Sequence, residues 1–231
     1  MSWASRSGTL GLDHRARAFE LSMGEDQRRA MLEATFGVVC TSTDCTDERR
    51  ETLEEVIQLA VELAREGREG RKVGTLFVIG DVESVLDQSR PLLLDPLYGH
   101  PSDVLHVGLP ELRETIKEFS LLDGAFLLDD AGTFVSAGRF IDVDVNAPEN
   151  FFPGLGTRHA AAASISRTTG AIAVVVSQSS VVRVFAGGKL RAEIIPELFL
   201  LTKERLFTPT PEIRELPEAG VTLAVASDEA A

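Results

Sequence analysis

The stretch from residue 153 to residue 178 carries the residue types most suited to binding an anion. It reads as a loop, a helix of small residues and a buried strand, and its chemical groups come early: Gly154, Gly156, Thr157, Arg158 and His159. Glycine lets the backbone approach a ligand closely, and Thr157 is a predicted N-cap whose helix would offer free N–H groups to an anion. Arg158 adds a planar fork of donors, and His159 adds a donor close to neutral pH. The pattern indicates a phosphate-holding turn.

Each of these residues also has an ordinary structural interpretation. A Gly-x-Gly before a helix is often only a tight loop, a threonine is often only a cap, and a first-turn arginine is usually a solvated charge. On these residues alone, both interpretations stay open.

A second informative segment begins at Asp123, Gly124 and Ala125. The apolar runs Ala125 to Leu128 and Phe134 to Ile141 flank a turn at Asp129 to Gly132, which predicts a β-hairpin. Asp123 and Gly124 stand at the entrance to its first strand. Asp123 alone could be a turn residue, as Ser177 could simply begin a second hairpin.

The remaining periodicity supplies the elements that must position these groups. Apolar residues at helical spacing predict a helix over 47–66, and continuous apolar runs predict buried strands over 73–79 and 171–176. The other predicted elements are helices over 15–34, 110–120, 158–169 and 196–206, one helical turn over 84–88, a short strand over 36–40 and a returning strand over 181–185. This order predicts an α/β fold, a single layered domain with a mixed central β-sheet flanked by helices.

The composition argues against several classes of partner. A formal net charge of -13 in 231 residues makes long-range attraction to DNA or to an anionic membrane surface unfavourable. There is no charged-then-apolar leader and no apolar run of about 18 residues, so a membrane span is not expected. Cys40 and Cys45 have no second pair and are expected to be isolated thiols, which together with the missing leader predicts a cytoplasmic protein.

Three short motifs, taken together, resemble those of a known family. DGA at 123–125, GTRH at 156–159 and VVS at 175–177 stand in the order and spacing of the diadenylate cyclase domain, shared by DNA-integrity-scanning proteins and membrane-linked cyclases. The resemblance covers about residues 50–207. It divides the chain into an N-terminal accessory segment (1–49), a diadenylate cyclase domain (50–207) and an acidic C-terminal tail (208–231) expected to be loosely ordered.

The resemblance implies a reaction and its requirements. Two ATP molecules would condense to cyclic di-AMP with release of two pyrophosphates, and each 3′-hydroxyl would attack the α-phosphate of the ATP on the facing subunit. The expected assembly is therefore a homodimer or higher homo-oligomer. The expected cofactor is a divalent metal, Mg²⁺ or Mn²⁺.

The resemblance also implies roles for individual residues. Asp123, Arg158 and His159 would be catalytic, and Asp123 would orient or deprotonate the hydroxyl and hold the metal. The residues expected to bind ATP are Gly124, Ala125, Phe140, Ile141, Gly156, Thr157, Arg158, His159, Ser177 and Gln178. Within that set, Phe140 and Ile141 correspond to the place where the family packs the adenine.

The chain departs from the family pattern at three positions. Ala160 replaces a common Arg, Leu122 stands where some members have His, and Gln178 stands where some have Glu. Ala160 and Gln178 leave open an alternative, a nucleotide-binding sensor of the same fold that turns over weakly or not at all. A DNA-scanning role is disfavoured by the acidic charge and by the absence of a recognisable helix-hairpin-helix segment.

Overall fold

A computed structural model of the chain describes residues 39, 45–143, 156–196, 212–216 and 221–225. The predicted helix of residues 15–34, and that of residues 196–206 apart from Pro196, lie outside this part. Of the predicted strand over 36–40 only Val39 is described, and it is helical, so the strand prediction is wrong there.

Seven strands form one mixed sheet in the order β2-β4-β3-β1-β5-β6-β7. Their bounds are β1 Thr75–Ile79, β2 Ser89–Pro91, β3 Ala125–Leu128, β4 Phe134–Ile141, β5 Ile172–Val176, β6 Val182–Ala186 and β7 Lys189–Ile194. Strands β1 and β3 are parallel, and every other neighbouring pair is antiparallel. The predicted mixed sheet of an α/β fold is confirmed.

In the continuously described part of the chain, four helices cover the two faces of this sheet. They are α1 Asp47–Glu66, α2 Val82–Asp87, α3 Pro110–Phe119 and α4 Thr157–Thr168, with a short 3-10 turn at Ser102–Val104. Side chains of α1 and α3 share one buried cluster with alternate sheet residues, and those of α2 and α4 share a second cluster with the residues between them. The domain therefore has three layers, with the sheet in the middle.

Apart from Thr75, the central strands β1, β3 and β5 are apolar because both of their faces are covered. Every residue of β1, β3 and β5 is buried. Along β1, Phe77 faces α1, where its ring stacks on Phe126 with centroids 5.3 Å apart. Leu76 and Val78 face α2 and α4. This double burial explains why the strands are continuous apolar runs in the sequence.

The first helix shows the end signals that its sequence contains. The Thr46 side chain accepts a hydrogen bond from Arg49 N at 3.2 Å, and Gly67 ends the helix with a φ of 60°. Side chains then fix the helix to the sheet edge opposite Asp123, where the Arg49 guanidinium donates to both Asp130 carboxylate oxygens, at 2.6 and 3.1 Å. The predicted bounds of this helix are confirmed.

Four sequence expectations need correction. Strand β7, which pairs with β6, was not expected. In the segment expected to be loosely ordered, Glu212–Leu216 (β8) pairs with Val221–Val225 (β9) as a hairpin. Thr157 is the first residue of α4 rather than its N-cap, which is Gly156. Cys45 is disulfide-bonded rather than a free thiol.

Within the described residues, no helix is long and apolar enough to cross a bilayer.

Candidate active site

The predicted site residues meet on the side of the sheet formed by the N-terminal ends of β1 and β3 and the C-terminal end of β5. We refer to this side, where the strands begin or end, as the sheet edge. Because β1 and β3 are parallel and β5 runs against them, the segments before Thr75 and Ala125 lie at the same edge as the residues after Val176. Helix α4 also begins at this edge, since its opposite end leads to Gly170, whose N–H bonds Asp81 beyond the far end of β1. The topology thus brings the three motifs together.

A contact between Asp123 and Arg158 joins two of these motifs. The Arg158 Nη2 donates to Asp123 Oδ1 at 3.1 Å. The Asp123 side chain is 78% exposed and that of Arg158 is 36% exposed, so both groups are open to a ligand. A carboxylate and a phosphate-binding cation therefore share one accessible place.

Gly124 holds Asp123 at this place by a close backbone approach. Its φ is 109°, and a Cβ there would lie 2.6 Å from both the carbonyl carbon and the Cα of Gly138 on β4. No side chain fits in that gap, because real Cβ contacts are not so short. The glycine of the DGA motif is thus required by strand packing as well as by any ligand.

The Arg158 guanidinium lies over a second glycine. A Cβ on Gly74 would lie 3.2 Å from Arg158 Nη1 and 3.3 Å from Gln178 Cγ. Arg158 and Gln178 therefore flank the bare backbone that precedes β1. Gly74 was not among the predicted site residues, although a glycine directly before a buried strand is a detectable signal in the sequence.

The N-terminus of α4 is open to an anion. Its N-cap is Gly156, and no side chain caps the first turn. Gly156 and Thr157 are exposed, and a Cβ on Gly156 would meet no heavy atom within 4 Å. The N–H of His159 already donates to Gly156 O at 3.0 Å. The N–H groups that come before it in the first turn and the positive end of the helix dipole favour a phosphate at this position.

His159 is buried beneath this helix end. The residue is 6% exposed, its ring packs edge-on against Phe185, and Arg183 Nη1 on β6 lies 3.2 Å from its Nε2. Burial and the neighbouring Arg183 charge hold the pKa of His159 below its ordinary value. The buried Nδ1 makes no well-formed hydrogen bond among the described residues, although the Gly156 backbone acts on the ring and partly offsets the lowering of the pKa.

Ser177 begins the tight turn between β5 and β6, as predicted. Its N–H donates to Val181 O at 2.9 Å, and its carbonyl accepts from Ser180 N at 2.9 Å. The Ser177 hydroxyl lies 2.9 Å from that of Ser179. Ser177 is half-buried and Gln178 is exposed at the same sheet edge as Asp123.

The candidates for packing adenine differ in accessibility. Phe140, across the hairpin from Gly124, is 40% exposed, and the Arg90 guanidinium carbon lies 4.3 Å from its ring centroid. Ile141 and Ala125 are instead buried in the cluster beneath α2 and α4. A shallow depression beside Asp123 has apolar walls that include Phe119 and Phe126, and it is too small to enclose a water molecule.

Asp123 offers a donor suitable for a nucleotide-associated metal. Within the described segments, no group of three or more His, Cys, Asp or Glu side chains is arranged to hold a metal. However, Mg²⁺ in nucleotide sites is commonly held by one or two carboxylates while phosphates and water complete its shell. A single exposed carboxylate beside a phosphate-binding helix end fits that chemistry, and Mn²⁺ takes the same oxygen donors.

Sequence reasoning missed two further residues that define the site. Arg183 contacts His159, and Glu193 on β7 pairs with Arg183. The only signal in the sequence is that Arg183 interrupts the apolar strand VVRVF. Its proximity to His159 depends on the packing of α4 against β6, which periodicity does not reveal.

Comparison with known proteins places this arrangement in a family. The family model described as "DisA bacterial checkpoint controller nucleotide-binding" (DAC) matches residues 62–190. A diadenylate cyclase of Methanocaldococcus jannaschii is 49% identical over 158 residues, which cover 67% of this chain and 49% of that protein. A diadenylate cyclase of Haloferax volcanii is 41% identical over 151 residues, which cover 64% of this chain and 54% of that protein.

Solved structures give more distant matches. DacA from Staphylococcus aureus is 19% identical with a TM-score of 0.44, and the match covers 70% of this chain and 100% of that one. A hypothetical membrane spanning protein from Bacillus cereus is 19% identical with a TM-score of 0.46, covering 78% and 97% respectively.

The matches cover different fractions of this chain and of its relatives. The chain spans about half the length of the curated relatives it matches. The family model, in contrast, spans more than half of this chain and includes Asp123, Arg158, His159 and Ser177. The chain therefore belongs to the DAC family, the DisA-type nucleotide-binding family.

Proposed function

We propose that this chain is a diadenylate cyclase that condenses two ATP molecules into cyclic di-AMP and releases two pyrophosphates. The observation that carries the proposal is the 3.1 Å contact between Asp123 and Arg158. It brings a carboxylate able to take a proton to the phosphate-binding end of α4. The names of the two archaeal relatives support the same activity.

Asp123 is the group that activates the attacking hydroxyl in this proposal. Its exposed carboxylate accepts the hydrogen bond, and then the proton, of a ribose 3′-hydroxyl. The O3′ atom forms a bond to the α-phosphorus while the bond from that phosphorus to the bridging oxygen of the leaving pyrophosphate breaks. Two such transfers close the ring and account for both pyrophosphates.

Arg158 and the N-terminus of α4 hold the triphosphate. The guanidinium fork and the first-turn N–H groups stabilise negative charge that grows on the leaving pyrophosphate. Thr157 and Ser177 add hydroxyl donors at the same sheet edge. His159 lies beneath them with its one unpaired ring nitrogen. A divalent ion held by Asp123 and the phosphates would supply further charge neutralisation.

The reaction requires two facing copies of this site. Each ATP provides both a hydroxyl that attacks and a phosphorus that is attacked, so a two-fold arrangement of identical sites supplies two opposed half-reactions. We propose a homodimer, or a higher homo-oligomer that contains this dimer. Specific activity should then rise with protein concentration until all of the protein is dimeric.

A nucleotide-binding sensor is the second candidate. Gln178 is exposed beside Arg158, where some relatives of the family carry Glu, and it cannot act as a charged metal ligand. This leaves Asp123 as the carboxylate assigned to the site. A sensor of this kind would bind ATP or cyclic di-AMP without turnover.

Product analysis separates the two candidates. Purified protein would be incubated with ATP and Mg²⁺ or Mn²⁺ over a range of protein concentrations, and the nucleotides resolved by chromatography. Cyclic di-AMP with two equivalents of pyrophosphate supports the cyclase. Binding of ATP without product under all these conditions contradicts it and supports the sensor.

A further inference from the structure

A row of three side chains runs from α4 across β6 to β7. His159 Nε2 lies 3.2 Å from Arg183 Nη1, and Arg183 Nε donates to Glu193 Oε1. Arg183 and Glu193 are direct cross-strand partners in the β6–β7 register. The Arg183 side chain is only 13% exposed. The strand pairing therefore holds the guanidinium at one place beside the imidazole.

The chemistry of arginine determines where the histidine proton lies. A guanidinium only donates hydrogen bonds and stays charged at all ordinary pH values, so Nε2 of His159 must accept. A neutral imidazole has a single N–H, which must then be on Nδ1. A protonated ring would place a second positive charge against Arg183 in a buried setting, which is unfavourable.

We propose that Arg183 and Glu193 are positioning residues that hold His159 as the neutral tautomer with its proton on Nδ1, ready to donate to an anionic oxygen. The Nδ1 atom is buried and makes no well-formed hydrogen bond among the described residues. The backbone of Gly156 acts on the ring and only partly offsets the lowering of its pKa. A buried N–H without an acceptor is unfavourable, and an arriving phosphate oxygen removes that penalty. Only the naming of this oxygen as a phosphate of ATP rests on the proposed function.

Glu193 acts on Arg183 rather than on His159. Its carboxylate accepts the hydrogen bond from Arg183 Nε, so the Nη1 atom of the guanidinium is directed at His159. It also offsets the Arg183 charge, so the row is nearly neutral. The charged groups that act on His159 are Arg183, Glu193 and Arg158. Ala160 follows His159 where the family commonly carries Arg, and the guanidinium that contacts the His159 ring comes from Arg183 on β6.

Histidine NMR tests the proposal without any activity measurement. The full chain would be prepared with ¹⁵N-labelled histidine, and the His159 ring resonances identified by their loss in His159→Gln. At pH 7.5 we expect a neutral ring with the proton on Nδ1. A His159 ring that is protonated on Nε2, or that is cationic at this pH, would overturn the proposal.

Variants of the row should give distinct signatures. In Arg183→Met the preference for the Nδ1 proton should be lost, and the His159 pKa should rise toward the ordinary 6.5. In Glu193→Gln the preference should weaken without a rise in pKa, because the arginine charge remains. Arg191→Met is the matched control on β7, since its Nε bonds the Ala186 carbonyl and not His159. Ring signals in Arg183→Met that match those of the wild type and the control would also overturn the proposal.

Turnover provides an independent readout. Arg183→Met should lower kcat for cyclic di-AMP by about tenfold, the low end for loss of a residue that orients a functional histidine. If Arg183→Met fails to fold, Arg183→Gln retains a donor without the charge, and it should keep the tautomer while the His159 pKa rises. If the NMR spectra show the expected tautomer and its loss in Arg183→Met but no cyclic di-AMP forms, the cyclase proposal is contradicted and the roles of Arg183 and Glu193 are supported. If cyclic di-AMP forms but Arg183→Met gives the same His159 spectra as the wild type, the roles of Arg183 and Glu193 are contradicted and the cyclase proposal is supported.

Discussion

Arg158 Nη2 donates to Asp123 Oδ1 at 3.1 Å, across 35 residues of sequence. This contact links the first turn of α4 to a residue that lies two positions before β3. It places the proposed proton acceptor and the proposed phosphate ligand within one hydrogen bond of each other. The arrangement suits phosphoryl transfer, in which positioning and charge stabilisation supply most of the catalysis.

The fork geometry of Arg158 should matter more than its charge. Arg158→Lys keeps the charge but loses the planar donors, so kcat for cyclic di-AMP should fall by about 100-fold. Lys189→Gln, at an exposed position on β7, is the control for a lost positive charge and should behave as the wild type. An Arg158→Lys enzyme with the wild-type rate would show that the fork has no role.

Gly74 should control ATP binding through Arg158. Gly74→Ala places a Cβ 3.2 Å from Arg158 Nη1, so the guanidinium must move. We expect the Kd for an ATP analogue that cannot react to rise about three- to tenfold. The free energy of unfolding should change by less than about 0.5 kcal/mol, because a flexible side chain absorbs the contact.

Calorimetry on a second alanine variant controls this result. In Gly170→Ala the nearest atom would be Asp81 Oδ2 at 3.6 Å, an ordinary contact at the far edge of the sheet. Its Kd should equal that of the wild type. A Kd for Gly74→Ala that also equals that of the wild type would argue against the position of Arg158 described here.

Gly124 should be required for stability as well as for the site. Gly124→Ala combines a φ of 109° with a contact of 2.6 Å to the Gly138 backbone. We expect a loss of about 2–4 kcal/mol in the free energy of unfolding, measured by urea denaturation. Gly156→Ala, which meets nothing within 4 Å, should cost less than about 1 kcal/mol. Equal losses in the two variants would contradict the packing argument.

The sequence predicted the layers of the fold better than the contacts of the site. Periodicity located α1 and the apolar strands, because both faces of β1 and β5 are buried and leave no ambiguity. Strand β7 was missed although KLRAEI alternates charged and apolar residues, the pattern of a strand with one covered face. As the outermost strand it has no fully buried residue, so it lacks the continuous apolar run by which β1 and β5 were found.

The site shows the same division. The motifs identified Asp123, Arg158 and His159, and the topology brings them to one sheet edge. The burial of His159 and its contact with Arg183 were not expected, since the two residues are 24 positions apart and meet only through packing of α4 on β6. A threonine that resembles an N-cap was also misplaced by one position, because Gly156 can take that conformation itself.

An ion-pair cluster between α1 and α3 should make stability depend on alkaline pH. The Lys117 ammonium, on a side chain that is 8% exposed, lies 2.7 Å from Glu62 and 2.8 Å from Glu114. Burial alone would lower the pKa of Lys117, but hydrogen bonds with Glu114 and Glu62 raise it overall above 10.5. Because the folded-state pKa is raised, the stabilisation is complete below the ordinary pKa and is lost as pH rises through the folded value.

Thermal unfolding between pH 7 and pH 11 measures this effect. Lys117→Met should lose about 2 kcal/mol at pH 7, because it leaves carboxylates without their cation, and its Tm should fall less steeply than the wild-type Tm above pH 10.5. Lys189→Met, at an exposed site, should follow the wild type throughout. Parallel Tm profiles for wild type and Lys117→Met would contradict the raised pKa.

The most direct test of the central claim compares the wild type with Asp123→Asn in one assay of ATP binding and cyclic di-AMP formation with Mg²⁺ or Mn²⁺. The amide has the size of the carboxylate but cannot take the hydroxyl proton. Product formation should therefore fall by about 1,000-fold while the fold and Arg158 remain in place. The account predicts cyclic di-AMP from the wild type and almost none from the variant. Equal rates from the two proteins, or no product from the wild type although ATP binds, would contradict it.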